Sequence, residues 1–320
     1  VFGGSNQYGD VANASLAIDS QSGCSELIGE AFGGANEANI TGTVTTTLGC
    51  SNVRYGNFYG GSNLADITGN VTLNVNGGYY TSVFGGSKGR LDDNTVSPAI
   101  SAKAANITGD VTLNLYGGIM TNAFGGSDVN GNIGGKITVN LDDAENPTCP
   151  LVVHNIYGGG RDASYTPNTP GAYPVVNLIK GTVSTYVENE VTKGGLVFGG
   201  GLGETAEVAS NPKVNLQGGV VQTAIFGGGE AAPVTGNPVI NANYGTAPTI
   251  HGGGWGSTAI VTGNPSVVVN ETNGKTLTVT SVYGGGDAAL VTGNTIVDLI
   301  VGTLANAFGG GNQAGVSGTA

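Results

Sequence analysis

Short runs of alternating apolar and polar residues recur along the chain and predict β-strands. In the segment NVTLNVNGGYYTSVFG (70–85), Val71, Leu73 and Val75 alternate with polar neighbours. A period of two is typical of a strand that buries one face. The pair Gly77-Gly78 then predicts a turn. A second short strand follows and ends at an aromatic residue.

A third short strand is indicated before this segment, in NLADITGN (63–70), where Ala65 and Ile67 are expected to point inward. Three strands separated by three turns fit one rung of a triangular parallel β-helix. No segment shows the 3.6-residue period of an amphipathic helix. The pattern therefore predicts an all-β fold, a β-solenoid with a minimal rung of about 25 residues and three short strands per rung.

One landmark, an aromatic ring followed by Gly-Gly, marks each repeat. Successive landmarks are 30, 27, 25, 40, 33, 41, 28, 25, 32 and 25 residues apart. The eleven positions are Phe2, Phe32, Tyr59, Phe84, Phe124, Tyr157, Phe198, Phe226, His251, Tyr283 and Phe308. A motif repeated this often indicates architecture, and the triple-glycine versions lack the Gly-Lys-Ser/Thr ending of a phosphate loop.

The repeats predict one continuous segment over residues 1–320, with about 11 rungs and a right-handed coil by the rule for parallel crossovers. Both ends of the sequence fall within a rung. We therefore expect a slice of a longer chain, or a filament subunit whose neighbours cover both ends.

The aromatic landmarks form a column whose position the sequence leaves open. If the corner rotates, the rings stack inside the fold, which we favour because an exposed aromatic stripe exceeds the apolar patch that soluble proteins tolerate. If the alternation continues through the corner, Val83 points inward and Phe84 outward. The column is then a lateral contact face or a surface on which sugars stack.

A second column is polar. The fourth position of the first strand points outward, and stacked amides at this position can hydrogen-bond from rung to rung. Its predicted members are Asn74, Asn114, Asn140, Asn177, Asn215, Asn241 and Asp298.

Composition narrows the classes of partner. The chain has 10 Lys and Arg against 22 Asp and Glu, a net charge of −12. An acidic chain lacks the positive footprint that nucleic acids need, so no nucleic-acid partner is expected. The apolar runs are too short to span a membrane.

The three cysteines leave two alternatives open. Cys24 and Cys50 precede successive landmarks by 8 and 9 residues, so stacking brings them within range of a disulfide. The alternative is a pair of buried thiols. Cys149 has no cysteine at the matching position and is expected to be free.

Candidates for chemistry are few. Carboxylates and arginines in the insertions could serve a glycan-active enzyme if the loops 88–104 and 161–173 converged on one groove. Solvated turns are the favoured alternative, with neither catalytic residues nor cofactor expected. The candidates are Arg90, Asp92, Asp93, Asp142, Asp143 and Arg161. Asp128, Asn130 and Asn132 alternate as oxygen ligands and could form a calcium site. The sequence does not favour this site, because the calcium-binding nonapeptide pattern is missing.

The chain repeats a tandem motif, FGGG…VTGN followed by an alternating strand and Gly-Gly. This motif resembles glycine-rich repeats of bacterial extracellular parallel β-helix proteins, such as autotransporter passengers and filamentous adhesins. The resemblance covers nearly the whole chain but carries over no catalytic residue. It implies an extracellular or cell-surface structural and adhesive protein forming a stalk or fibre. Its partners would be other copies, joined end-to-end or side-by-side, or a glycan or host-surface ligand. A glycan-active or tailspike-like polysaccharide-binding protein is the alternative.

Overall fold

The computed structural model describes residues 1–9, 11–19 and 26–320. The regular secondary structure in this part of the chain consists of β-strands, so the all-β class is confirmed. No helix long and apolar enough to cross a membrane is found there. The strands are β1 (Ala14–Ile18), β2 (Leu27–Phe32), β3 (Val44–Leu48), β4 (Arg54–Tyr59), β5 (Val71–Phe84), β6 (Val111–Phe124), β7 (Ile137–Asp142), β8 (Leu151–Tyr157), β9 (Pro174–Lys180), β10 (Thr182–Val183), β11 (Thr185–Glu188), β12 (Val191–Gly194), β13 (Leu196–Phe198), β14 (Lys213–Val221), β15 (Ala224–Phe226), β16 (Val234–Thr235), β17 (Val239–His251), β18 (Val261–Thr262), β19 (Ser266–Asn270), β20 (Leu277–Tyr283), β21 (Ile296–Val301) and β22 (Asn306–Phe308).

Equivalent strands of neighbouring repeats pair in parallel and in register. Val71 of β5 lies opposite Val111 of β6, which in turn lies opposite Ile137 of β7. Phe84 likewise lies opposite Phe124, which lies opposite Tyr157 of β8. Each backbone is therefore hydrogen-bonded to the repeats before and after it, and each sequence position forms a column.

The parallel pairings close into a ring of eight strands. Hydrogen-bonded neighbours lead from β6 through β7, β9, β14, β17, β15, β13 and β8 back to β6. The other ten strands of the 18-stranded sheet, 18 minus 8, lie outside this ring. Its connectivity is that of a closed parallel β-barrel with additional strands. Three separate strands per rung would give three open ladders that never meet, so the prediction of a β-solenoid with three short strands per rung is wrong.

The ladders meet because glycine pairs bend strands without ending them. Gly77-Gly78 was expected to turn the chain, but both residues lie inside β5, a continuous strand of 14 residues. The register shifts on either side of Asn76, and Gly78 has a φ of 93°, a conformation that few other residues adopt at low cost. β6 bends in the same way and so belongs to two ladders.

Two layers of side chains result from the alternation along each strand. Val71, Leu73 and Val75 are fully buried in the main core, together with a column of single-residue bridges that runs from Ile40 through Ile67. The polar residues between them face the other side.

On that other side, the predicted asparagine column forms a ladder of amide hydrogen bonds. The Nδ2 atom of each of the five residues after Asn74 donates to the Oδ1 atom of the preceding member, at 2.8–2.9 Å. Asp298 does not join the ladder, because Val268 occupies the position between Asn241 and Asp298.

The one disulfide in the described part of the chain differs from the predicted pair. Cys50 is bonded to Cys149, with Cα atoms 5.6 Å apart and a sequence separation of 99. Cys24 lies outside the described residues. A Cβ atom at Gly77 would lie 2.7 Å from Cys149 Sγ, so the missing side chain leaves room for the bond. The inserted loop 142–150 carries Cys149 to this position, and repeat spacing alone does not reveal it.

The glycine corners bring backbones of successive repeats into contact. The Gly126 N–H donates to the Gly159 carbonyl oxygen at 3.0 Å, and a Cβ atom on Gly126 would lie 2.5 Å from the backbone nitrogen of Gly160. Backbone atoms cannot move aside as a flexible side chain can. Glycine is therefore required at this position because a larger side chain would clash with the neighbouring backbone.

We expect Gly126→Ala to lower the free energy of unfolding by about 2 kcal/mol, because overpacking forces the backbones apart. Gly310→Ala is the matched control, since Gly310 holds the same corner position but nothing lies within 4 Å of its added Cβ. Its effect should stay within about 0.5 kcal/mol. Urea denaturation of both variants measures the difference, and equal losses would contradict the packing account.

Candidate functional site

The aromatic landmarks form one continuous column of stacked rings. From Phe2 to Phe308, adjacent ring centroids lie 4.6–5.1 Å apart with nearly parallel planes. Offset stacking of this kind adds to the burial energy of each ring. The rings are buried along most of the column, whereas Phe2 and Phe308 at its two ends are 39% and 46% exposed.

The column lies opposite the main core. Val83 belongs to the main core, and Phe84 belongs to a separate cluster with the other rings. The alternation thus continues through the corner, contrary to the favoured interior position. The rings are nevertheless buried, because the segments that follow the glycine corners pack over them. Neither alternative drawn from the sequence described this second, covered layer.

The covering segments supply acids to the polar members of the column. Tyr59 Oη donates to Asp128 Oδ2 at 2.8 Å, and Tyr157 Oη donates to Glu230 Oε2. Arg161 contacts both oxygens of Asp128, at 2.7 and 2.9 Å. Burial raises the pKa of Asp128, while the Arg161 guanidinium opposes that rise. Burial also raises the pKa of Glu230, against the hydrogen bond from Tyr157.

The three residues considered for a calcium site are engaged in contacts within the protein. Asp128 is fully buried and neutralised by Arg161, so its oxygens are already engaged. Asn130 Nδ2 donates to the Arg90 carbonyl oxygen, and Asn132 is paired with the backbone of Thr166. These side chains hold neighbouring segments together. No group of three or more His, Cys, Asp or Glu suited to a metal ion occurs in the described residues.

The catalytic candidates are also engaged locally. In the loop 88–104, Arg90 Nε donates to the Ser101 carbonyl oxygen, Asp92 accepts from the Ala102 N–H, and Asp93 accepts from Thr95. In the other insertions, Asp143 accepts from the Glu145 N–H, and Arg161 forms an ion pair with Asp128. Asp142 is paired in register with Lys180. These contacts do not bring the carboxylates of the two loops together.

A groove of about 810 Å³ runs beside the column, and we call it the aromatic groove. Its floor includes Phe226, His251 and Tyr283. One wall is the hairpin β11–β12, and the other carries Leu202, Glu230, Trp255 and Asp287. Pockets of 300–1,000 Å³ with mainly apolar linings and a few polar groups are the usual binding sites for small molecules.

The hairpin wall is built by the insertion 184–195. Tyr186 pairs with Lys193 across the two strands, and Asn189 and Glu190 between the strands have φ values of 50° and 64°. Positive φ at both central residues is typical of a type I′ turn, whose twist matches an antiparallel hairpin. Tyr186 packs on His154 with ring centroids 4.7 Å apart, and this contact anchors the wall.

The opposite wall presents the only tryptophan of the sequence. Trp255 directly follows the glycine corner 252–254, and its ring lies 6.2 Å from the rings of both Phe198 and Phe226. It is 37% exposed, so part of its surface is open to solvent.

Two residues of the groove lining carry buried polar atoms without a hydrogen bond. Asn155 Nδ2 donates to Asn122 Oδ1 at 3.0 Å, but Asn155 Oδ1 is buried without a partner. His251 Nδ1 is likewise buried and without a hydrogen bond. Because a buried polar atom left unpaired costs about 1–3 kcal/mol, these positions are unusual in a stable framework.

The sequence pattern did not identify the hairpin 184–195, Trp255, Glu230 or Asp287 as parts of a site. The lone tryptophan directly after a glycine corner was a usable signal. Comparison of the chain with protein-family models, curated proteins and solved structures finds no match. The groove must therefore be interpreted from its own geometry.

His251 makes the stability of the column depend on pH. Burial lowers the pKa of His251 to about 4, and the nearby Asp287 carboxylate only partly opposes this. As the pH falls, His251 binds a proton near pH 6.5 in the unfolded chain, whereas in the folded chain it binds one only when the pH approaches 4. This contribution to stability is therefore present above pH 6.5 and lost as the pH falls towards 4.

We expect the free-energy difference between the wild type and His251→Phe to change by about 3 kcal/mol between pH 7 and pH 4, in favour of the variant. Phenylalanine preserves the ring in the column and removes the titration. Urea denaturation of both proteins across this range measures the difference. A constant difference would show that His251 is not buried in its neutral form.

Proposed function

We propose that the chain is part of an extracellular structural and adhesive protein, on or outside a bacterial cell, that presents the aromatic groove as a contact surface. The observation that carries the proposal is the placement of this groove on a rigid ladder. The floor of the groove consists of stacked rings held in register by parallel strands. A site on such a framework needs little ordering when it binds.

The disulfide supports a location outside the cytoplasm. The disulfide between Cys50 and Cys149 joins two parts of the chain that are 99 residues apart in sequence. Disulfides persist in oxidising compartments and are rare in the reducing cytosol. The resemblance to repeats of bacterial surface proteins points the same way.

Contacts between copies are part of this proposal. At the edge of the sheet formed by β21 and β22, the apolar residues Ile296, Leu299, Val301 and Phe308 are 46–54% exposed. An apolar sheet edge is a template for further strands. Additional chain or a second copy can pair with it, and electron microscopy of native material distinguishes continuous fibres from single particles.

We expect antibodies raised against the folded chain to label intact, unpermeabilised producing cells or the material around them. Immunogold electron microscopy measures this labelling, with an antibody against a cytosolic protein as the control for cell integrity. Labelling that appears only after permeabilisation would refute the extracellular assignment.

We also expect native protein, isolated with free thiols blocked, to yield a cross-linked peptide pair that contains Cys50 and Cys149. Mass spectrometry before and after reduction identifies the pair. Quantitative blocking of both thiols in the native protein would contradict both the pairing and an oxidising location.

A further inference from the structure

We propose that the aromatic groove binds an uncharged oligosaccharide, with Trp255 and Tyr186 as the ring platforms of its two walls. The inference rests on the proposed function, because it names the ligand class of the contact surface. Three features carry it: the exposed aromatic surface, the hydroxyl groups of the lining and the distribution of charge.

The two platforms stand on opposite walls above an aromatic floor. Trp255 is braced by Phe198 and Phe226, and Tyr186 is braced by His154, so binding costs little side-chain entropy. Sugar rings present apolar C–H faces edged by hydroxyl groups. Aromatic rings with polar groups around them suit both parts of such a ligand.

Hydroxyl groups of the lining can bind a polyhydroxylated ligand. Thr192, Thr223 and Thr249 line the groove. Thr223 and Thr249 already donate to the carbonyl oxygens of Gly194 and Thr223, and their hydroxyl oxygens can still accept. A ligand rich in hydroxyl groups can donate to these oxygens, which a hydrocarbon cannot do.

The charges favour a neutral ligand. Glu230 and Asp287 line the groove of a chain with a net charge of −12, which disfavours phosphates and acidic sugars. A cation gains little in return. Glu230 already accepts from Tyr157, and Asp287 accepts from Asn312 at 2.7 Å.

The single tryptophan gives a direct test on the whole chain. We would titrate it with neutral hexasaccharides of glucose (β-1,4- and α-1,4-linked), xylose, mannose and N-acetylglucosamine, and follow Trp255 fluorescence and binding heat. At least one sugar should shift the emission and bind saturably. Trp255→Ala should weaken that binding at least tenfold by calorimetry, and Tyr186→Ala several-fold.

Tyr8→Ala is the matched control, because Tyr8 is 88% exposed and does not line the groove. It should bind as the wild type does, and thermal unfolding should show that all three variants fold. The proposal is overturned if no sugar of the panel binds, or if binding survives Trp255→Ala. It is also overturned if choline, a polygalacturonate fragment or an apolar peptide binds in preference to every neutral sugar.

The outcomes separate this inference from the proposed function. Surface labelling of producing cells without sugar binding leaves the extracellular adhesive role standing and removes the sugar. Saturable sugar binding by a protein that is labelled only inside permeabilised cells removes the extracellular role and keeps the ligand class.

Discussion

The structure depends on the close approach of glycine backbones at the corners. At Gly125-Gly126, the N–H groups donate to carbonyl oxygens of the next repeat at 2.9 and 3.0 Å, and no Cβ atom fits between the chains. The parallel ladders hold neighbouring repeats about 4.8 Å apart, and at the corner only glycine fits at this distance. The same spacing brings the preceding rings to 4.6–5.1 Å and allows them to stack. Aromatic stacking is thus a consequence of the backbone spacing.

Insertions then turn a covered column into a site. Between Phe32 and Phe226 the rings are shielded by segments such as the one that carries Asp128. Beside the hairpin 184–195 and Trp255, a groove remains open. Glu230, which accepts from Tyr157, lies on the wall of this groove. One acid therefore satisfies a ring of the column and lines the site.

Periodic features were accessible from the sequence, and long-range ones were not. Alternation predicted the strand that begins at Val71, and the aromatic spacing identified which residues share a column. The continuous strand through Gly77-Gly78 could not be foreseen, because a glycine pair predicts a turn as readily as a bend. The closure of the sheet depends on this bend, and the bond to Cys149 and the groove depend on insertions that place residues outside the repeat register.

The asparagine ladder gives the sheet a direction. All five amide bonds from Asn114 to Asn241 point the same way, each N–H towards the residue of the preceding repeat. Aligned amide dipoles polarise one another, so the series ends with a surplus of acceptor character at Asn241 and of donor character at Asn74. Reversing one amide would set like groups face to face at two junctions. The column therefore has a net electric dipole along its length, and an array of such sheets joined in the same direction would have a permanent electric polarity.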